Sequence, residues 1–344
     1  ESHGKGIGVV IDGCPSGVPL NEEDIQKFLD RRKPGQSKYT TKRKEADECE
    51  ILSGVFEGVT TGTPISIMIK NEDQRSVDYS NIKNTYRPGH ADFSYDAKYG
   101  IRDYRGGGRS SGRETIGRVC AGAVAAKILG KLGIKILTYT KAIHHISIEE
   151  KDYDFKQIME NPLYMPNNEK AAEASAYLDS CIKNLDSSGG IIECRVRHMP
   201  AGIGDPVFDK LDALLAHALF SIGAVKGVEI GEGFGAALLN GSTNNDTTTA
   251  SNHAGGILGG ISTGKEILLR AAIKPTPSIS REQGAMDNTL HETTIVIKGR
   301  HDPVIVPRAV VVVESMVCIT LLDSILSQLG TRMEYLEDRF NNLL

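Results

Sequence analysis

The pattern of hydrophobic and polar residues along the chain contains short runs typical of strands and longer stretches with the spacing of helices. The run Gly6–Ile11 is apolar and ends in Asp-Gly, which predicts a strand followed by a turn. Residues 51–59 and 64–69 predict two strands joined by a Thr-Thr-Gly turn. Other apolar or alternating runs predict strands over residues 134–140, 190–199, 225–230, 267–273, 293–298 and 309–313.

Helical periods account for the other predicted elements. Residues 21–32 begin with a capping Asn and carry acidic residues first and basic residues last, which predicts a helix with a complemented dipole. Residues 111–132 open with Ser111-Gly-Arg-Glu114, the spacing of a capping box, and continue into an Ala-rich apolar stretch typical of a buried helix. Further helices are predicted over residues 154–185 with a break at Asn161-Pro162, over 205–222 with Pro206 in its first turn, and over 314–329.

These elements mix hairpin-like strand pairs with long buried helices and lack regular β-α-β alternation, so the pattern favours α+β layers over a doubly wound sheet. Two segments stand outside the pattern. Residues 36–48 are polar and basic, and we expect an exposed loop there. Residues 71–108 show no period and are rich in Asp, Tyr, Arg and Gly, which in a compact chain is typical of a functional segment.

Composition narrows the class of protein. The chain has 344 residues with 40 Lys+Arg against 44 Asp+Glu, and a net charge of −4 argues against a nucleic-acid binder. With 40% hydrophobic and 24% charged residues it can bury a sizeable core, as one large domain or two. No uninterrupted apolar run reaches the roughly 18 residues of a membrane helix, and no signal peptide is visible. The 6 scattered cysteines lack a Cys-x-x-Cys pair and predict reduced thiols of a cytoplasmic protein.

The strongest chemical signal lies in residues 101–118, where five arginines surround three glycines directly before the predicted capped helix. Helix N-termini offer free N–H groups, glycines allow close approach to a ligand, and guanidinium forks match phosphate or carboxylate oxygens. We interpret this segment as an anion-binding site. A second basic cluster spans residues 31–44, for which a solvated loop and a ligand-binding loop both remain open.

Two glycine-rich segments resemble nucleotide motifs imperfectly. Residues 259–266 (GGISTGKE) have the Gly and Lys spacing of a P-loop, but Glu266 stands where Ser or Thr would hold magnesium. Residues 231–236 match G-x-G-x-x-A after a predicted strand, yet no convincing helix follows. A glycine turn in a hairpin is the better interpretation of the second.

Three histidines lie in turn-like settings: His3, His90 and His301, the last followed by Asp302. Turns commonly hold catalytic groups. With the two basic clusters, they indicate an acid/base site beside bound phosphate. A tight pattern such as H-E-x-x-H is absent, and we predict no metal site.

Taken together, these segments resemble the chorismate synthase family. The matching motifs run in order along almost the whole chain, at residues 1–4 (ESHG), 31–37 (RRKPGQS), 52–62 (LSGVFEGVTTG), 86–92 (YRPGHAD), 98–113 (KYGIRDYRGGGRSSGR), 224–231 (AVKGVEIG), 252–264 (NHAGGILGGISTG), 274–276 (KPT) and 299–303 (GRHDP).

The resemblance implies a lyase that converts 5-enolpyruvylshikimate 3-phosphate to chorismate by 1,4-anti elimination of phosphate, at the last common step of the shikimate pathway. It implies reduced FMN without net redox change. The sequence shows no reductase domain, so we expect an external flavin reductase, with NADPH acting only indirectly. The resemblance also implies a homotetramer of single α+β units, here residues 1–344, with a pseudo-twofold and central helices between antiparallel sheets. The family has a strand ahead of Glu1-Ser-His-Gly, so we expect residues before Glu1.

The resemblance also implies individual roles. His90 is the expected acid near the reduced flavin and His3 the acid beside the departing phosphate. Asp302 is the expected acceptor near flavin N5, supported by Ser2. FMN contacts are expected from Arg109, Ser110, Ser111, Gly223, Ala224, Gly259, Lys274, Pro275, Thr276, Pro277, Ser278 and Arg300. Substrate or NADP contacts are expected from Arg32, Lys38 and Arg105; Lys38 stands where relatives often have Arg, which keeps the charge but weakens a bidentate contact.

Two rival hypotheses belong to other classes. A phosphotransferase would use residues 259–266 as a nucleotide loop, and ATP binding tests it. A non-catalytic flavin- or anion-binding protein would keep the basic loops but tolerate loss of His3 and His90.

Overall fold

The computed structural model describes residues 2, 4–40, 46–71, 82–247, 251–297 and 301–342. The helices in these ranges are α1 Glu22–Arg32, α2 Asp92–Tyr99, α3 Thr115–Lys131, α4 Asn168–Lys183, α5 Leu211–Phe220, α6 Gly241–Asn244, α7 Val306–Ser327 and α8 Met333–Asn341. The strands are β1 Gly6–Ile11, β2 Cys49–Ile51, β3 Val55–Phe56, β4 Val59–Thr60, β5 Ile65–Lys70, β6 Thr85–Tyr86, β7 Lys135–Ile143, β8 Ile146–Ser147, β9 Gly190–Arg197, β10 Val225–Ile230, β11 Ile257–Leu258, β12 Ile261–Ser262, β13 Ile267–Ile273, β14 Glu282–Asp287 and β15 Glu292–Val296.

The core is a helical layer between two antiparallel sheets. Helices α3 and α7 pack against each other, with α1 beside both and α5 against α7. The sheet β1-β5-β2 packs on α3 through β1, and the sheet β10-β13-β9-β7-β8 packs on α7 through β7 and β9. The predicted α+β class, with central helices between antiparallel sheets, is confirmed.

Helix α7 corrects the prediction of a strand over residues 309–313. Val310, Val311, Val312 and Val313 are all buried within this helix. A short run of β-branched residues cannot be distinguished from a buried helix by periodicity, and packing against α3 on one side and a sheet on the other overrides strand propensity. By length and composition the segment Val306–Gly330 could span a membrane, but 61% of its most apolar window is buried inside the fold, as in a core helix.

The two central helices approach closely at one glycine. A Cβ atom added to Gly122 of α3 would lie 2.1 Å from Ser315 Cβ and 2.4 Å from Ser315 Cα of α7. Later in the same helix, Gly130 has nothing within 4 Å of such an atom. Gly122 therefore sets the spacing of the two helices.

Several element boundaries differ from the prediction. Helix α1 has the predicted Asn21 cap, as a full capping box with Asp24. The helix predicted from residue 205 begins only at Leu211, so Pro206 lies outside it. The first helix predicted within 154–185 is a 3-10 turn, Phe155–Met159. The predicted hairpin is interrupted, since β2 pairs with β5 while β3 and β4 form their own hairpin.

The loop predicted as exposed over residues 36–48 is partly buried. Tyr39 and Asp47 are each 2% exposed, so this prediction is wrong for them. Residues 41–45 of the basic cluster lie outside the described ranges.

All six cysteines are free thiols, as predicted, and five are buried, whereas Cys49 is half-buried. Burial raises the pKa of the Cys194 thiol to about 12. Burial and the nearby Glu22 carboxylate raise the pKa of the Cys49 thiol to about 11.

Candidate active site

The glycine-rich loop ahead of α3 has an unusual backbone. Gly106, Gly107 and Gly108 have φ angles of 81°, 88° and 51°, in the left-handed region that glycine adopts without strain. A 3-10 turn, Gly112–Glu114, then leads into α3. Ser111 Oγ accepts from the Arg113 N–H at 3.3 Å. The predicted capping box is not formed as such, because the Glu114 carboxylate binds Arg109 Nη1 at 2.9 Å.

Beside this loop lies a buried ion cluster of Arg87, Asp92 and Arg102. Arg87 binds Asp92 through Nε at 2.8 Å and Nη2 at 2.7 Å, and Arg102 Nη1 lies 2.9 Å from Asp92 Oδ2. Burial alone would raise the pKa of Asp92, but the hydrogen bonds and charge of Arg87 and the charge of Arg102 lower it to about 2. Arg102 Nε also lies 3.7 Å from Asp96 Oδ2, so the two guanidinium groups of the cluster face two carboxylates.

A cavity of about 340 Å³ opens against this cluster. Its lining combines the first residues of α2 with the glycine-rich loop and includes Asp92, Arg102, Gly107, Arg109 and Ser110. Ser110 Oγ is held by the Gly107 carbonyl oxygen at 2.7 Å. The cavity therefore combines two guanidinium groups, Arg102 and Arg109, with two carboxylates, Asp92 and Asp103, beside the glycine-rich loop, and its guanidinium groups suit an anion.

His90 lies one turn away, against the segment that follows β13. His90 Nε2 and the buried Ser278 Oγ are 2.8 Å apart. Lys274 Nζ donates to the Gly89 carbonyl oxygen at 2.6 Å. Burial, and then the charge of Arg87, lower the pKa of His90 to about 3. Burial also lowers the pKa of Lys274.

The same segment is fixed from both sides. The Lys274 N–H donates to the Ala224 carbonyl oxygen at 2.9 Å, and Ser187 Oγ donates to the Thr276 carbonyl oxygen at 2.6 Å. A Cβ atom at Gly89 would lie 3.0 Å from Pro277 Cβ, and one at Gly189 would lie 3.1 Å from Pro275 Cδ. The loop 274–278 is thereby held against residues 89–90.

A second buried group joins the C-terminus of α1 to the start of α3. Asp47 accepts from Arg32 Nη2 at 2.8 Å and from Arg113 Nη1 at 3.2 Å, with its carboxylate fully buried. Arg32 Nη1 also donates to the Gly112 carbonyl oxygen at 3.2 Å. Burial lowers the pKa of Arg32 to about 10. Arg32 Nε is buried with no hydrogen-bond acceptor in the described structure.

Asp302 lies between the Arg32–Asp47 ion pair and the loop 274–278. Its carboxylate binds Arg308 Nη1 at 2.7 Å, and Arg308 Nε donates to the Arg32 carbonyl oxygen at 2.9 Å. On the other side, the Ser188 N–H donates to the Pro303 carbonyl oxygen at 2.8 Å. The preceding residue, Ser187, binds the Thr276 carbonyl oxygen, so the segment of Asp302 is linked to the loop 274–278.

The structure thus brings most of the predicted site residues into one region. Those joined there by described contacts are His90, Asp302, Arg32, Arg109, Ser110, Ser111, Ala224, Lys274, Pro275, Thr276, Pro277 and Ser278. Ser2 is buried, and Gly223 precedes Ala224 and has open space at its Cα. His3 and Arg300 lie outside the described residues.

Three other predicted residues make no described contact with the residues of that set. Lys38 is 62% exposed and bound to Asp179 of α4 at 2.8 Å. Arg105 is 51% exposed and binds Asp103 through two nitrogens. Gly259 lies in the turn between β11 and β12.

Sequence reasoning missed several residues of the site. Arg87 and Asp92 flank the predicted His90 in the YRPGHAD motif, and a basic and an acidic residue around a turn histidine was a usable signal. Asp47 gave no signal, because Arg32 and Arg113 lie 15 and 66 positions away. Arg308 lies six positions from Asp302, but its second partner, the Arg32 carbonyl oxygen, is 276 positions away.

Both nucleotide-loop hypotheses are wrong. Residues 259–266 run from a hairpin turn straight into β13 without the helix that a P-loop requires, and Glu266 binds Arg195 and Arg197. After Gly231 comes a 3-10 turn, Gly233–Leu238, and a Cβ atom at Gly231 would lie 2.1 Å from the His253 carbonyl oxygen. Gly231 is therefore needed where its backbone packs closely against the backbone of residues 253–255. In the described part of the chain, no group of three or more His, Cys, Asp or Glu is arranged to hold a metal.

Fold and site together define an α+β enzyme in which the arginines of a glycine-rich loop lie next to the segment that holds His90 and Lys274, an arrangement suited to an anionic small molecule. The model of the chorismate synthase family matches residues 1–326, and the chain belongs to this family of lyases. A chorismate synthase of Agathobacter rectalis is 58% identical over 351 residues, which cover 100% of this chain and 96% of that protein.

Two further proteins are similar over almost their full lengths. A chorismate synthase of Lachnoclostridium phytofermentans is 61% identical over 346 residues, covering 98% of this chain and 94% of that protein. A solved structure titled "Crystal Structure of Chorismate Synthase" is similar with a TM-score of 0.76 at 33% identity, covering 100% of this chain and 95% of that one.

Proposed function

We propose that the protein eliminates phosphate from 5-enolpyruvylshikimate 3-phosphate to give chorismate, with reduced FMN bound beside the substrate. The observation that carries this proposal is the convergence of the arginines around the glycine-rich loop with the segment in which Lys274 binds Gly89 and Ser278 binds His90. A substrate with one phosphate and two carboxylates needs such a set of paired cations, because a buried charge is costly unless it is compensated.

The donor set also fits a flavin phosphate. Gly107, with a φ angle of 88°, brings the backbone of the loop beside Ser110 Oγ and Arg87 Nη2, 3.3 and 3.5 Å from the position that a Cβ atom would take. Arg32 Nε is a buried donor without an acceptor in the described structure, and an anionic oxygen would satisfy it. Lys274, Ser278, Arg109 and Ser110 would hold the FMN. Bound reduced FMN would supply electron density to the allylic C–O bond and recover it, so no net redox change results.

The chain's own residues manage the protons. The elimination breaks the C–O bond to phosphate and one ring C–H bond, forms one C=C bond, and releases phosphate and a proton. We assign acceptance of that proton to the Asp302 carboxylate, near which Ser2 is expected to act in support. His3, from the ESHG motif, is proposed as the acid beside the departing phosphate.

His90 needs its ligands before it can act as an acid. Without them, burial and the neighbouring cations keep its pKa low, and the imidazole is neutral near pH 7. A bound anion offsets the charges of Arg87 and Lys274 and thereby raises the pKa of His90. We propose that His90 becomes a proton donor only in the loaded site.

The remaining proposals concern the protein's setting. The buried core formed by both sheets and the central helices supports one unit over residues 1–344. We propose a homotetramer in the cytoplasm that receives reduced FMN from an external reductase, so that NADPH acts only indirectly. Turnover from oxidised FMN and NADPH alone, without air and without a reductase, would contradict the external supply. Arg105, Lys38, Gly223, Gly259 and Arg300 remain proposed ligand contacts.

An anaerobic assay tests the activity. Protein, photoreduced FMN and 5-enolpyruvylshikimate 3-phosphate are mixed, and chorismate absorbance and free phosphate are followed together. Equal amounts of both products, formed only with reduced flavin, are expected. Product with oxidised FMN, or no product although both ligands bind, would overturn the proposal. A His90→Gln variant is expected to bind FMN but to lose turnover, and full turnover there would support the non-catalytic hypothesis for that histidine.

A further inference from the structure

Arg308 lies in the first turn of α7 and joins two parts of the site. Its Nη1 binds Asp302 at 2.7 Å, and its Nε donates to the Arg32 carbonyl oxygen at 2.9 Å. The Arg308 side chain is 18% exposed and that of Asp302 is 12% exposed. One planar guanidinium therefore fixes a carboxylate and a backbone carbonyl from separate elements at the same time.

The geometry uses a property that only arginine has. The guanidinium nitrogens are held in a rigid fork, so the position of one bonded group sets the direction of the other. Arg32 is the last residue of α1, where helix carbonyls lack intrahelical donors and carry a partial negative charge. This carbonyl is a fixed anchor, because the Arg32 side chain is itself buried against Asp47. The anchored guanidinium can thus aim the Asp302 carboxylate.

We propose that Arg308 is a positioning residue for the reaction, which orients the Asp302 carboxylate for acceptance of the ring proton. The proposal rests on the proposed function. Arg308 itself forms no bond to the reacting atoms. Its role is to limit the freedom of Asp302, and the misplacement of a reacting group by about 1 Å can cost on the order of 100-fold in rate.

A purely structural role is the competing explanation, and the chain offers a matched control. Arg31 of α1 binds Glu314 of α7 through two hydrogen bonds of 3.0 and 2.6 Å, with side chains 23% and 11% exposed. This pair ties the same two helices at similar burial but makes no described contact with Asp302. Glu314→Gln therefore removes a comparable tether without touching the proposed proton acceptor.

The test compares Arg308→Gln, Arg308→Lys and Glu314→Gln in the full chain. Arg308→Gln is expected to lower kcat by about tenfold or more. The deuterium isotope effect on the ring C–H bond is expected to rise, because a misplaced base slows that step. Substrate affinity, measured by calorimetry on protein with oxidised FMN, is expected to change less than about threefold, since both described hydrogen bonds of Arg308 go to protein groups, Asp302 and the Arg32 carbonyl oxygen. Arg308→Lys keeps the charge without the fork and is expected to fall between Arg308→Gln and the unaltered protein.

Glu314→Gln is expected to lower thermal stability while leaving kcat and the isotope effect unchanged. The proposal is overturned if Arg308→Gln behaves like Glu314→Gln, with lower stability but an unaltered kcat and isotope effect. It is also overturned if Arg308→Gln weakens substrate binding as much as it lowers kcat. Absence of turnover in the unaltered protein, in contrast, would mean that the proposed function itself has failed.

Discussion

The contact of Gly122 with Ser315 makes a strong prediction about the centre of the fold. In Gly122→Ala the new methyl group would meet Ser315 Cβ at 2.1 Å and Cα at 2.4 Å, far inside normal contact. Because one of these atoms is backbone, no rotamer change relieves the clash, and α3 and α7 must move apart. Overpacking costs about 1–3 kcal/mol, here at the upper end, and the better helix propensity of Ala returns about 1 kcal/mol. We therefore expect a net loss of about 2 kcal/mol.

Thermal unfolding measures this loss. An unfolding entropy of about 2.1 cal/mol/K per residue over 344 residues converts a loss of about 2 kcal/mol into a fall in Tm of about 3 °C. Gly130→Ala, in the same helix but facing open space, is the control and is expected to leave Tm unchanged or raise it by about 1 °C. Adding Ser315→Gly to Gly122→Ala removes the nearest atom but not Cα, so only part of the loss should be recovered.

The same variant tests how the fold supports the site. Helix α3 follows the Gly112–Glu114 turn, and α7 carries Arg308, so separation of the helices displaces both. Gly122→Ala is therefore expected to lower kcat as well as Tm. A Tm equal to or above that of the unaltered protein would show that the two helices are not rigidly spaced, and the reasoning would be wrong.

Three other predictions follow from the site. First, because the pKa of His90 is lowered in the folded chain, the unfolded chain binds a proton between about pH 6.5 and about pH 3 that the folded chain does not, and stability falls on acidification through this window. His90→Gln should therefore flatten the plot of urea midpoint against pH in this window, and an unchanged plot would contradict the prediction. Second, Asp92→Asn leaves the buried Arg87 charge undercompensated and is expected to cost about 3–5 kcal/mol, seen as a fall in Tm, and a neutral effect would exclude the buried ion cluster. Third, Lys274→Ala should weaken FMN binding at least tenfold, measured by fluorescence quenching, because the variant loses a cation of the proposed site. Lys135→Ala at the exposed start of β7 should leave the affinity unchanged, and equal affinities of the two variants would remove Lys274 from the cofactor site.

Local sequence patterns predicted the bounds of those elements whose ends are determined by residues within or next to the element itself. The α1 helix has the predicted cap because Asn21 and Asp24 satisfy each other's backbone groups without help from the rest of the chain. Strands β1, β10 and β13 match their predicted bounds, since apolar residues between turn signals define them. The strand prediction for the valines of α7 was wrong, because packing on two sides determines their secondary structure and sequence periodicity carries no information about that packing.

The site was predictable to the extent that its residues share a motif. Arg109, Ser110 and Ser111 sit together in the glycine-rich loop, and the arginine count there already indicated anion binding. The Asp47 contacts with Arg32 and Arg113 join residues 15 and 66 positions apart, and no local spacing reports such pairs. The family resemblance assigned both His90 and Lys274 to the site. Only the structure shows that they lie close together, because Lys274 binds Gly89 and His90 binds Ser278.

The state of the cysteines has a chemical consequence for an enzyme that is proposed to handle reduced flavin. Reduced flavin that meets dioxygen yields hydrogen peroxide, which attacks thiolates far faster than thiols. Five thiols here are buried, and burial raises the pKa of Cys49, the half-buried sixth, to about 11, so the thiolate is scarce at neutral pH. If reduced flavin is bound as proposed, peroxide released from it would meet few thiolates in this chain, and the thiols of the core beside α3 and α7 would resist oxidation to sulfenic acid.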